Sequence, residues 1–136
     1  MIPIKSHKEL IVWQKGMKLV KEIFILTENF PKSEIFGITS QMRRSAISIP
    51  SNIAEAFGRR SFKSSIQFYS FAYGSALELE TQLIISKELI MAKETLFEPS
   101  ENLLLEVSKM LNVMIGKMKK LTKEDTSNLV TNLTSI

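Results

Sequence analysis

All four arginines of this 136-residue chain fall in one region, as Arg43-Arg44 and Arg59-Arg60, with Lys63 close behind. Lysine outnumbers arginine 14 to 4, so the confinement concerns arginine specifically. A guanidinium offers a rigid fork of donors that fits phosphate or carboxylate at two points. Such clusters suit either a phosphate backbone or ion pairs between helices. At 3.6 residues per turn, Arg44, Ser48, Ser51, Glu55 and Arg59 share one polar helical stripe. A strip of cations and hydroxyls is suited to phosphate contacts. The same residues admit a purely structural role, with Glu55 pairing Arg59 at i,i+4 and Glu78 or Glu80 neutralising other arginines. Lys15 and Lys18 are secondary contact candidates. Few exposed aromatics are expected near these positions, so base stacking and sequence-specific readout are not expected.

Catalytic chemistry has less to draw on. The absence of Cys removes disulfides, thiol nucleophiles, iron–sulfur clusters and Cys-containing zinc sites. His7 is the only imidazole and lies in the predicted first turn of a helix, where a surface or capping role is expected. No Glu-x-x-His pair serves a di-iron centre, and neither G-x-G-x-x-G nor a Walker A segment cradles a nucleotide. Glu80 shares a helical stripe with Tyr73, Leu77 and Ile84, which predicts partial burial, but no nucleophile or metal ligand accompanies it. Glu78 and Glu80 point about 200° apart around a helix and cannot act as a carboxylate pair. The expectation is a protein without catalytic residues, metal, cofactor or small-molecule substrate.

These residues must be positioned by helices. Ser6 and Glu9 have capping-box spacing. Leu10, Trp13, Met17, Val20 and Phe24 then form one face, with Val12, Leu19, Ile23 and Leu26 as a flanking row. Pro31 ends this helix near Asn29, and Ser33–Gly37 reads as a connector. Ile38, Met42, Ala46, Ile49, Ile53 and Phe57 define a second helix whose period continues through Pro50, predicting a kink rather than a break. Gly58 is expected to close it in left-handed geometry.

Ser61 caps a third helix reaching about Met91. Its segment Ile66–Tyr73 is apolar on nearly every side, which predicts burial on more than one side. Phe68, Tyr69, Phe71 and Tyr73 are therefore candidates for a subunit interface. Leu103, Leu104, Val107, Met110, Leu111, Met114, Met118 and Leu121 form the face of a fourth helix after Pro99-Ser100. Four amphipathic helices with short connections predict an all-α, up-down-up-down antiparallel four-helix bundle over residues 1–121, with 122–136 a frayed polar tail.

The net charge of +4 conceals a pattern: residues 1–63 carry +6, 64–116 carry −4 and 117–136 carry +2. A basic excess suits an anionic partner. The longest uncharged stretch, Ser64–Leu77, is too short and polar to span a bilayer, and the N-terminus lacks an apolar signal region. A soluble cytoplasmic protein is expected.

Several segments resemble one known family. They are Phe36-Gly37-Ile38-Thr39-Ser40-Gln41-Met42-Arg43-Arg44-Ser45-Ala46, Ser48-Ile49-Pro50-Ser51-Asn52-Ile53-Ala54-Glu55, Gly58-Arg59-Arg60 and Glu78-Leu79-Glu80-Thr81-Gln82-Leu83, with Leu10-Ile11-Val12-Trp13-Gln14-Lys15 as the opening. Together they are similar to the four-helix-bundle proteins encoded in intervening sequences of bacterial 23S ribosomal RNA genes, over roughly residues 7–121. Ala56 departs from the pattern, where a glycine is usual. The resemblance implies a bundle assembling as a ring, typically a homopentamer, and a relation to the basic accessory protein of diversity-generating retroelements. It carries no catalytic residues. Two functions follow as expectations: RNA association through a basic face, or an oligomeric protein-interaction scaffold that does not touch nucleic acid.

Overall fold

A computed structural model describes residues 3–134, with side chains over 3–123. Four helices carry the fold: α1 (Ile11–Glu28), α2 (Ile38–Phe57), α3 (Phe62–Glu88) and α4 (Glu98–Thr134). Short connectors force successive helices to run antiparallel, and each packs on two neighbours in the cyclic order α1–α2–α3–α4–α1. The up-down-up-down bundle is as the periodicity predicts. Leu19, Ile23, Met42, Ile49, Ile53, Leu79, Phe97, Val107 and Leu111 are fully buried along its axis. Phe30 and Phe97, with ring centroids 6.1 Å apart, lie in the same core. No helix among the described residues is long and apolar enough to cross a membrane.

Local structure departs from expectation at several points, each with a physical cause. Ser6 caps a separate 3-10 turn, His7–Glu9, its Oγ accepting the Lys8 N–H at 3.2 Å. Glu9 accepts from the Lys5 N–H instead of closing a capping box, and α1 starts only at Ile11. The buried face of α1 is Val12, Gly16, Leu19, Ile23, Leu26 and Thr27. Met17 is exposed, and Leu10, Trp13, Val20 and Phe24 are only half-buried. Gly16 lies on this face, against Pro50 of α2. A Cβ at Gly16 would lie 3.5 Å from the Pro50 Cβ.

Helix α2 runs through Pro50 without breaking and ends at Gly58. Gly58 is right-handed, at φ −80°, not left-handed as expected; its N–H returns to the Ala54 carbonyl. The left-handed cap belongs instead to α3. There Ile90 stands at φ 55°, the Met91 N–H bonds the Ser86 carbonyl at 2.9 Å, and the Ile90 N–H bonds the Lys87 carbonyl at 3.1 Å. This is a complete Schellman closure with a β-branched residue in the glycine position.

Helix α3 buries one face against its own chain, made of Ser65, Tyr69, Ala72, Ala76, Leu79, Gln82, Leu83 and Ser86. Within one chain its long helical neighbours are α2 and α4 alone, so Phe71, Leu77 and Ile84 remain about half exposed. Small residues and hydroxyls line the α2–α3 seam: Ser48 and Ser75 share a hydrogen bond of 2.8 Å, and the Ser65 hydroxyl donates to the Ala56 carbonyl at 2.7 Å. The backbone of α4 stays helical to Thr134, through most of the segment expected to fray. Side chains of 124–136 lie outside the described set.

Candidate nucleic-acid interface

The turn from α2 into α3 is built to hold cations at the surface. Ser61 caps α3 by accepting the Ser64 N–H at 3.2 Å, and Ser65 ties the start of α3 to the end of α2. Arg59 is fixed three ways. It donates to Glu55 at 3.0 Å and to the Ser64 hydroxyl at 2.9 Å, and its guanidinium lies 4.5 Å above the Phe68 ring. The i,i+4 pair thus forms although Arg59 lies beyond the helix. Arg60 and Lys63 are exposed and make no ion pair among the described residues. Gly58, Arg59, Arg60, Ser61 and Ser64 line an open cavity of about 400 Å³.

The arginines do not form one strip. Arg43 is about sixteen residues, or roughly 24 Å of helix rise, from Arg59. It turns inward: its Nε donates to the Thr27 Oγ1 at 2.9 Å and its guanidinium covers the Phe24 ring at 4.5 Å. Arg43 is therefore a clamp between α1 and α2, not an open phosphate contact. Arg44 is exposed in a polar groove with Gln41, Ser45, Ser48, Ser75 and Glu78, without pairing Glu78. Ser48 bonds α3 while Ser51 lines the α1–α2 groove, so the expected stripe splits between two sides of α2. Lys15 is ion-paired with Glu106 on α4, and Lys18 is exposed.

Glu80 is exposed rather than partly buried, because Leu77 and Ile84 beside it face outward. Among the described residues, neither Glu78 nor Glu80 neutralises an arginine within ion-pair distance. Of the interface candidates, Tyr69 is 5% exposed and belongs to the core of its own chain. Burial pushes its phenol above the ordinary value. Phe68 and Tyr73 are half-buried, and Phe71 is exposed with its ring edge-on to Phe68 at 5.4 Å. Phe62 at the first position of α3 is also half exposed. Two open aromatics therefore flank the Arg59–Lys63 turn, contrary to the expectation from sequence spacing. His7 sits edge-on to Trp13 at 5.1 Å. No group of three or more acidic, His or Cys side chains that could hold a metal occurs among the described residues.

Topology adds cations that linear order separates. Lys15 against Glu106 and Lys87 against Glu101 fix the antiparallel register of α4 on α1 and α3. That register runs Lys117, Lys119, Lys120 and Lys123 toward the end of the bundle that also holds the N-terminal turn, with Lys5 and Lys8, and the α2–α3 turn. Nine cations thus belong to the segments directed to that end, together with Glu9, Glu55, Glu124 and Asp125. The lysine run is visible in the sequence as the +2 of its last segment, but only the register of α4 places it with the others.

A family model described as 23S rRNA-intervening sequence protein matches residues 8–113. Among solved structures, the chain is similar to a protein of unknown function from the S23 ribosomal protein family of Bacteroides thetaiotaomicron. The two share 25% identity at a TM-score of 0.72, over 77% of this chain and 98% of the other. No curated protein matches the chain.

Proposed function

The chain belongs to the 23S rRNA-intervening sequence protein family, and from that premise we propose that it is a cytoplasmic, non-enzymatic, homo-oligomeric bundle that associates with RNA through its basic end. The observation that carries this reading is the exposed cluster Arg59, Arg60 and Lys63 where α2 turns into α3, with Lys117, Lys119, Lys120 and Lys123 on the stretch of α4 directed to the same end. Arg60 and Lys63 are the open phosphate contacts, and Arg59 is held in place by Glu55, Ser64 and Phe68. Phe62 and Phe71 offer flat faces on which unpaired bases stack. Arg44 and Lys18 extend the contact along the bundle; Arg43 and Lys15 are engaged elsewhere. A ring of copies, a pentamer in the family's pattern, repeats the basic end and multiplies its field.

A salt titration of the full chain with 23S ribosomal RNA fragments tests the proposal. On single-stranded RNA, removing one cation from a phosphate lowers the log–log salt slope by about 0.7, so Arg60→Gln with Lys63→Gln lowers it by about 1.4. Absence of binding at low salt, or an unchanged slope in the double variant, overturns it. The second reading, a protein scaffold without nucleic acid, is favoured by the exposed Phe71 and Leu77. A partner that survives nuclease treatment while RNA titration stays flat decides for the scaffold. Solution mass measures whether the chain is oligomeric.

A further inference from the structure

We propose that the groove between the C-terminal half of α3 and the start of α4 is a docking surface for a basic, amphipathic peptide segment of a protein partner. This goes beyond the RNA reading and uses the other end of the bundle: α3 spans 27 residues, about 40 Å.

Three observations converge on the groove. Its floor is apolar and open. Ile84, Ile90 and Leu105 are 52%, 82% and 53% exposed, and two adjoining cavities of about 580 and 270 Å³ share Ile84 and Glu101. Its rim is acidic. Glu80, Glu88, Glu94 and Glu101 line the two cavities against Lys87 alone, which is already paired with Glu101 at 3.1 Å. The wider stretch 78–106 carries seven glutamates and two lysines.

The third observation is Ile90 itself. A left-handed backbone is disfavoured for any L-residue, and a β-branched one is a genuine outlier there. Glycine closes a Schellman motif without that cost. Packing within the chain does not repay it, because the side chain is 82% exposed. Backbone strain therefore holds a bare isoleucine in the lining of the cavity of about 580 Å³, where it serves contact with something outside the chain. The acidic rim specifies that partner as cationic, and the apolar floor requires it to bring apolar anchors as well. A polyanion is repelled here.

A short amphipathic peptide of leucine and lysine, titrated into the isotope-labelled full chain, tests the assignment by amide shift mapping. The expected shifts cluster on residues 84–96 and 101–105, and a leucine–glutamate peptide leaves them unmoved. Ile90→Gly keeps the cap, removes the anchor and weakens binding about tenfold or more. Leu105→Gln, far from the cap, weakens it without touching the strained residue, and Glu88→Gln with Glu94→Gln weakens it several-fold. The proposal is overturned if a lysine–serine peptide binds equally well, if the shifts fall outside the groove, or if Ile90→Gly binds as the natural chain does. It is equally overturned if Ile90→Gly dissociates an oligomer, since the groove is then covered by a second copy.

Discussion

Arg43 distinguishes a structural arginine from a ligand-binding one, and its removal should read out as stability rather than affinity. The perturbation is Arg43→Ala. It deletes a hydrogen bond from a charged donor to Thr27 at 2.9 Å and a cation–π contact with Phe24 at 4.5 Å. A hydrogen bond to a charged group contributes about 1.5–3 kcal/mol, and a partly exposed cation–π contact about 0.5–1. Thr27 is not orphaned, because its hydroxyl still donates to the Ile23 carbonyl at 2.7 Å. The expected loss is therefore about 2 kcal/mol, near the lower sum. For a domain of this size that is a fall in Tm of about 8 °C at fixed protein concentration. Urea unfolding followed by circular dichroism measures it, with Thr27→Val and the double variant completing a cycle. The coupling energy between the two sites should reach about 1 kcal/mol. Additive effects of the two substitutions, or a Tm unchanged while RNA affinity falls, would refute the assignment of Arg43 as a clamp.

Three further outcomes follow from the packing. Gly16→Ala should raise stability by up to about 1 kcal/mol, since its Cβ meets Pro50 at an ordinary 3.5 Å and alanine favours helix. Gly16→Ile should lower it by about 1–3 kcal/mol through overpacking; equal denaturation midpoints for the two variants would contradict the close approach of α1 and α2. Phe97→Ala, at a fully buried site facing Phe30, should cost about 3–5 kcal/mol in the same assay. Tyr69 has a raised phenol pKa from burial, so its contribution is fully present below pH 10 and is lost as pH rises through the higher folded value. Alkaline unfolding of Tyr69→Phe should accordingly begin at higher pH than that of the natural chain.

Much of the fold was legible because apolar periodicity reports burial directly. Most of the faces of α2 and α4 and the passage of α2 through Pro50 follow from it, although Ala56 and Ile115 are buried and Leu121 is exposed. What escaped has identifiable causes. On α1 the row expected to flank, Val12, Leu19, Ile23 and Leu26, is the buried one, with Gly16 in line, a residue without a side chain to count. Within one chain the neighbours of α3 cover one face, and its other large side chains, such as Phe71 and Leu77, face outward. Clustering of arginine along the chain gathered all four around α2. It could not separate Arg60 from Arg43, because Thr27 and Phe24 approach Arg43 from another helix. The lysines of α4 join the basic end only once the register of the helices is known. Ile90 gave no sign at all, since a left-handed cap without glycine has no signature in residue type.

The separation of charge along the bundle has a kinetic consequence. With cations gathered where α3 begins and glutamates where it ends, the molecule is a long electric dipole. Near any polyanion such a rod turns before it touches, presenting one end and withdrawing the other. Orientation is then selected during approach, so collisions are enriched in productive poses and added salt slows arrival more than it hastens departure. The opposite end stays outward throughout, free for a second encounter while the first persists.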